Sequence, residues 1–251
     1  MTTETLTKPA TTARSESPPK PVRYDTGYLP QPIVYPDSDG QPMAESDFQF
    51  EPLAYAVESL KQYFHDRSDV YVAGNIFLYY KEGTPSEVVA PDVLVIIGAE
   101  NRKHHSVKLW EEPKAPDFVL EITSKSTRSA DQGSKKGTYE FLGVTEYFCY
   151  DPTGDYLKPP LRGFRLIDGL FSPIQPTEES DSRVVLRSET LGLDLQVIGS
   201  EFRFVDPTAS RILPNLAESE RLRIDAERKH ADAETRVREL EAQLAALQKS
   251  N

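Results

Sequence analysis

The chain has 251 residues and a formal net charge of −11, which argues against a broad nonspecific nucleic-acid surface, because Lys and Arg supply most such affinity by neutralising phosphates. Hydrophobic residues make up 38% and aromatics 10%, enough for one sizeable core in an α/β domain. No apolar run approaches the roughly 18 residues of a membrane span and no signal-peptide pattern opens the chain, so a cytoplasmic protein without a membrane contact is expected.

Residues 1–23 are rich in Thr, Ser and Pro with almost no large apolar side chains, too little to offset ordering entropy, and read as a disordered tail. Residues 24–50, with several prolines and scattered aromatics, read as an irregular arm. A folded domain is expected over residues 51–210. Leu53, Val57, Leu60 and Phe64 fall on one face of a helix predicted to start near Pro52. Strands are predicted near residues 70–73, 76–80, 92–97 and 117–123. A helix spanning residues 131–142 is expected to stop at Gly143. Residues 146–150 read as a further strand, with the single cysteine, Cys149, as a buried thiol. Short strands around 161–167, 182–187 and 202–205 read as a β-rich extension. Beyond Pro214 the composition shifts to Ala, Glu, Arg, Leu, Lys and Gln. Residues 214–249 read as one helix whose Val237, Leu240, Leu244 and Leu247 form a short coiled-coil seam.

Two acids stand out because of where they lie. Asp92 opens the run Val93-Leu94-Val95-Ile96-Ile97, and Glu121 sits inside Phe118-Val119-Leu120-Glu121-Ile122. Apolar, β-branched runs of this kind read as buried strands, where an ionised acid costs several kcal/mol unless it is paired or holds a metal. Asp117 shares a strand face with Glu121 but lies about 13 Å from it at about 3.3 Å per residue, too far for one ion. If the Asp92 strand pairs beside Glu121, two carboxylates about 4 Å apart repel by about 4 kcal/mol at an effective dielectric near 20, which a shared divalent cation would reverse. All-oxygen ligation suits Mg²⁺ or Mn²⁺; a turn acid and a structural ion pair are the alternative for the same residues. Asp131, Lys135 and Tyr139 recur at four-residue spacing along one helical stripe. From there Lys135 could orient a water or stabilise charge on a phosphorane. The Thr123–Arg128 loop adds hydroxyls and cations, including Lys125, suited to phosphate contacts. The pair His104-His105, with no cysteine cluster beside it, reads as a surface loop.

These blocks, with Ala90-Pro91-Asp92-Val93, Trp110-Glu111-Glu112, Glu121-Ile122-Thr123-Ser124-Lys125-Ser126-Thr127 and Leu142-Gly143-Val144-Thr145-Glu146-Tyr147-Phe148, resemble the putative restriction endonuclease family of the PD-(D/E)XK nuclease superfamily, over roughly residues 45–205. The resemblance implies a restriction-endonuclease-like α/β fold, a mixed central sheet flanked by helices. It also implies Asp92 and Glu121 as metal ligands for phosphodiester hydrolysis. The superfamily lysine, two residues after the acid, is replaced here by Thr123. In some relatives the cation comes from the following helix, and Lys135 matches that position. The expected function is therefore a metal-dependent DNA endonuclease, a homodimer through its C-terminal helix, with Asp131 and Tyr139 orienting Lys135. The alternative is a catalytically weak or inactive nuclease-like module for binding or assembly.

Overall fold

The computed structural model describes residues 32–38, 46–124, 127–180 and 182–249; the expected N-terminal tail lies outside them. The first helix, α1 (Asp47–Tyr63), begins earlier than Pro52 suggests. Ser46 at its N-cap position is extended and its carbonyl accepts the first helical bonds, while Asp47 complements the helix dipole. Four residues assigned to an irregular arm are thus helical. Ahead of α1, Tyr35 packs on Tyr79 and Trp110, and its hydroxyl accepts the Gly83 N–H at 2.6 Å.

Strand β1 (Val70–Gly74) follows, then the short β2 (Leu78–Tyr79) and β3 (Val88–Val89), β4 (Val93–Ile97), β5 (Val107–Lys108) and β6 (Phe118–Ile122). Two helices, α2 (Arg128–Gln132) and α3 (Ser134–Leu142), lead to β7 (Glu146–Tyr150), β8 (Leu161–Ile167) and β9 (Leu170–Pro173). The central sheet has the order β1-β4-β6-β7-β8-β9, with β6 and β7 parallel and the other neighbours antiparallel. A parallel pair cannot be closed by a hairpin, so the β6–β7 connection must cross over one sheet face, and it carries α2 and α3. Strand β8, expected in a separate extension, belongs to this sheet.

Strands β10 (Glu178–Ser180), β11 (Arg183–Ser188), β12 (Leu193–Ile198), β13 (Glu201–Asp206) and β14 (Arg211–Ile212) form a second, antiparallel sheet, and β3-β2-β5 a small third one. Strand alternation sorts the core into two layers. Val93, Val95, Phe118 and Leu120 pack with α1 and the second sheet through Leu60, Leu195 and Phe204. Leu94, Ile96, Val119 and Tyr147 point the other way, toward Tyr139 of α3 and toward Leu78 and Val107.

The predicted single helix over 131–142 is broken at Gly133, whose φ of −121° and ψ of −92° close α2 and open α3. A Cβ there would lie 2.8 Å from the Ser129 carbonyl oxygen. Gly143 closes α3 at φ 81°, the left-handed stop expected from sequence. The last helix, α4 (Leu216–Lys249), is anchored at its first turn, where Arg203 pairs with Glu218 at 2.9 Å and Ser219 bonds Gln62 at 3.0 Å. Further along, Val237, Leu240 and Leu247 are exposed.

Candidate active site

The site is built where β4 begins beside β6. Val93 lies opposite Leu120, and this register puts Asp92, one residue before β4, across from Glu121. The side chain of Asp92 accepts the Ile122 N–H at 2.6 Å, and its charge acts directly on Glu121 across the strand pair. Glu121 is fully buried. Its Oε2 accepts a bond from Lys135 Nζ at 2.8 Å and its Oε1 one from the Tyr139 hydroxyl at 2.6 Å.

Both donors come from α3. Lys135 reaches from the first turn of that helix, donates also to the Ala90 carbonyl at 3.3 Å, and lies 3.5 Å from Asp131 Oδ1. Four-residue spacing therefore still brings Asp131 to Lys135 across the helix break. Tyr139, expected to orient the lysine, instead holds Glu121, because its buried hydroxyl projects from the following turn onto the far carboxylate oxygen. Asp131 is buried, with neither carboxylate oxygen hydrogen-bonded among the described residues, although its backbone carbonyl accepts the Tyr147 hydroxyl at 2.7 Å. Lys125 lies outside the described residues.

Three carboxyls thus face one ammonium in a buried place. Burial drives Glu121 well above the usual carboxylate range, and Asp92 pushes the same way while Lys135 opposes. Burial also raises Asp92, against the pull of Lys135 and the Ile122 N–H. For Lys135, burial alone would favour the neutral amine, but Glu121 and Asp92 outweigh it and raise its pKa. The lysine remains an ammonium, and burial beside Glu121 keeps Tyr139 a protonated donor.

This excess of acid over base is the condition a divalent cation relieves. No group of three His, Cys, Asp or Glu side chains among the described residues converges in ion-holding geometry. The donor set nevertheless fits Mg²⁺ or Mn²⁺ held by two carboxylates, since such ions keep several waters and take substrate oxygens for the rest of their shell. Asp117 plays another role. It accepts the Ile97 N–H at 2.7 Å and pairs with Lys114 at 2.7 Å, fixing the edge where β4 ends. The two adjacent histidines part company: His105 is exposed, while His104 is packed on Tyr71, 3.6 Å from Glu112.

A model of the Uma2 family, described as "Putative restriction endonuclease", matches residues 33–197. The chain belongs to this family. Asp92, Glu121, Asp131, Lys135 and Tyr139 all fall inside the Uma2 match, and α4 lies beyond it. Among solved structures, the chain is similar to one titled as a putative nuclease belonging to DUF820 from Anabaena variabilis, at 12% identity and a TM-score of 0.43, over 60% of this chain and 76% of that one. No curated protein matches. Among the described residues, no helix is long and apolar enough to cross a membrane.

The Ala90 carbonyl on Lys135 and the Tyr147 hydroxyl under Asp131 were not anticipated. Nothing local marks either one, since both contacts arise from strand and helix packing across 45 and 16 residues of chain.

Proposed function

We propose that the chain is a metal-dependent endonuclease that hydrolyses phosphodiester bonds of DNA, with Asp92 and Glu121 holding Mg²⁺ or Mn²⁺. The observation that carries this reading is the 2.8 Å contact between Lys135 and Glu121. It puts an obligate cation beside the paired acids although the motif position itself holds Thr123. When bound, the metal supplies Lewis-acid polarisation of a phosphoryl oxygen.

The chain's own residues supply the rest. Tyr139 fixes the rotamer of Glu121, and Glu121 in turn aims the Lys135 ammonium toward the mouth of the site at Ala90 and Asp92. An ammonium held there can donate to a non-bridging phosphate oxygen, or orient an attacking water, where negative charge develops. Asp131 flanks the lysine on its other side and supports its charge.

The test is cleavage of plasmid and single-stranded DNA by the purified protein in Mg²⁺ or Mn²⁺, beside a chelator control and Asp92→Ala. Metal-dependent cleavage lost in Asp92→Ala is the expected result. No cleavage under any of these conditions refutes the enzymatic reading. It would favour the second one, a nuclease-like module for assembly, which the exposed apolar side chains of α4 support: Leu216, Leu222, Ile224, Val237, Leu240 and Leu247.

Of these, Val237, Leu240 and Leu247 underlie the proposal that two copies associate through α4, which would bring two sites together to cut both strands of a duplex. Removing the residues after Ile224 keeps the Arg203–Glu218 anchor. Light scattering should then show a monomer where the full chain is a dimer. Equal masses for the two forms would assign α4 to another partner.

A further inference from the structure

Beyond the C-terminal ends of the parallel strands β6 and β7 lies a cavity of about 560 Å³, lined in part by Phe48, Gln49, Thr123, Ser124, Thr153 and Tyr156. We propose that it holds the sugar and base of the nucleotide next to the scissile phosphate, with the base stacked on Phe48 or Tyr156. The proposal rests on reading Asp92, Glu121 and Lys135 as a nuclease site.

Four observations carry it. The first is position: Thr123 follows Glu121 by two residues on the same strand face, so the cavity opens about 7 Å along the chain from the site, at strand rises near 3.3 Å. The crevice outside the carboxyl ends of strands is where open α/β sheets take ligands. The second is size, which lies within the roughly 300–1,000 Å³ of small-ligand sites. The third is chemistry. Among the described residues, every side chain that lines the cavity is uncharged. The rings of Phe48 and Tyr156, the hydroxyls of Ser46, Thr123, Ser124 and Thr153 and the Gln49 amide suit a flat heterocycle with polar edges and its sugar.

The fourth is Thr123 itself. Its residue is 1% exposed and its Oγ1 has no hydrogen-bond partner among the described residues, a cost of the kind that native structures avoid without a reason. A sugar oxygen or base edge entering the cavity would supply the missing partner. This gives the residue that replaced the motif lysine a function in binding.

The test uses the full chain and short single-stranded DNA, labelled for anisotropy and carrying the fluorescent base 2-aminopurine, with cleavage followed in parallel. Phe48 is 66% exposed, so Phe48→Ala leaves the core intact. Loss of one stacked base should raise both Kd and KM about tenfold, with kcat little changed and 2-aminopurine quenching reduced. Phe48→Tyr should restore all three, and Thr123→Val should weaken binding in the same direction. If the wild type cleaves DNA but Phe48→Ala and Tyr156→Ala bind and cleave as it does, the cavity proposal is overturned and the nuclease reading stands. If the wild type never cleaves yet binding and quenching still depend on Phe48, the nuclease reading falls and the nucleotide pocket stands. Absence of both cleavage and binding overturns the two together.

Discussion

Two glutamates lie fully buried on the adjacent parallel strands β6 and β7, and they are solvated by the protein in opposite ways. Glu146 is surrounded by donors. Arg165 reaches one oxygen with two nitrogens, at 3.0 and 2.9 Å, the Glu189 N–H reaches the same oxygen at 3.1 Å, and Ser188 Oγ takes the other at 2.5 Å. Glu121 has Lys135 and Tyr139 as donors but is also crowded by Asp92 and Asp131. The first arrangement ties β7 and β8 to the second sheet and leaves its acid nothing further to bind. The second crowds acids that burial and mutual repulsion push toward their neutral forms, an arrangement that a bound cation would relieve.

The largest effect should come from the crowded acid's neighbours. Lys135→Ala is expected to lower DNA cleavage by roughly 10²–10³-fold, the range for loss of one positioned electrostatic donor, while Mn²⁺ affinity measured by calorimetry stays near wild type. Asp92→Ala should lose both. Should Lys135→Ala cut normally while Lys125→Ala does not, the working cation has been assigned to the wrong element.

At the satisfied acid the same kind of truncation should strike stability instead. Glu146→Ala leaves the partly buried Arg165 without its main partner and should cost about 3–5 kcal/mol in urea unfolding, with the surviving folded fraction still active. A loss below about 1 kcal/mol would mean that Glu189, which pairs with Arg165 at 2.8 Å, takes over the role. In contrast, Asp131→Asn relieves repulsion on Asp92 and Glu121. It should stabilise the metal-free protein by about 1 kcal/mol while reducing cleavage, the trade expected where a site stores unfavourable charge. Destabilisation by this substitution would show that the 3.5 Å contact with Lys135 outweighs the repulsion.

The smallest effect belongs to the α4 anchor. The Arg203 guanidinium holds the Glu218 carboxyl below its ordinary value near 4.5. A depressed carboxylate stabilises the folded form above that value and loses the contribution as pH falls below it. Because Glu218 is more than a third exposed to solvent, the contribution should be about 0.5 kcal/mol or less. Glu218→Gln should flatten the pH dependence of unfolding below about pH 4.5 by that amount, and an unchanged profile would remove the pair from the anchor.

The acids of the site were legible because polar residues interrupt or border apolar runs: Asp92 and Glu121 announce themselves against Val93–Ile97 and Phe118–Ile122. Lys135 and Asp131 were legible through their spacing, which survives the break at Gly133: Lys135 Nζ still lies 3.5 Å from Asp131 Oδ1. The break itself was not visible, since a glycine inside a helical pattern is more often tolerated than decisive. Two strands could have been found. Asp168-Gly169, both at positive φ, is the hairpin signal between β8 and β9, and Leu193, Leu195 and Val197 alternate as a half-buried strand should. The donors around Glu146 had no local signature, because they come from residues 19 to 43 positions away.

Placing the cation on α3 separates it from the strands that carry the acids. A lysine two residues after Glu121 would be delivered by strand register alone, as soon as β6 formed. Here the sheet can pair while the site still lacks its positive charge, and Lys135 arrives only when α3 docks and Tyr139 seats on Glu121. A chain still emerging from the ribosome, or one whose crossover has come undone, would therefore hold the acids without their cation, and the site would be complete only once folding is.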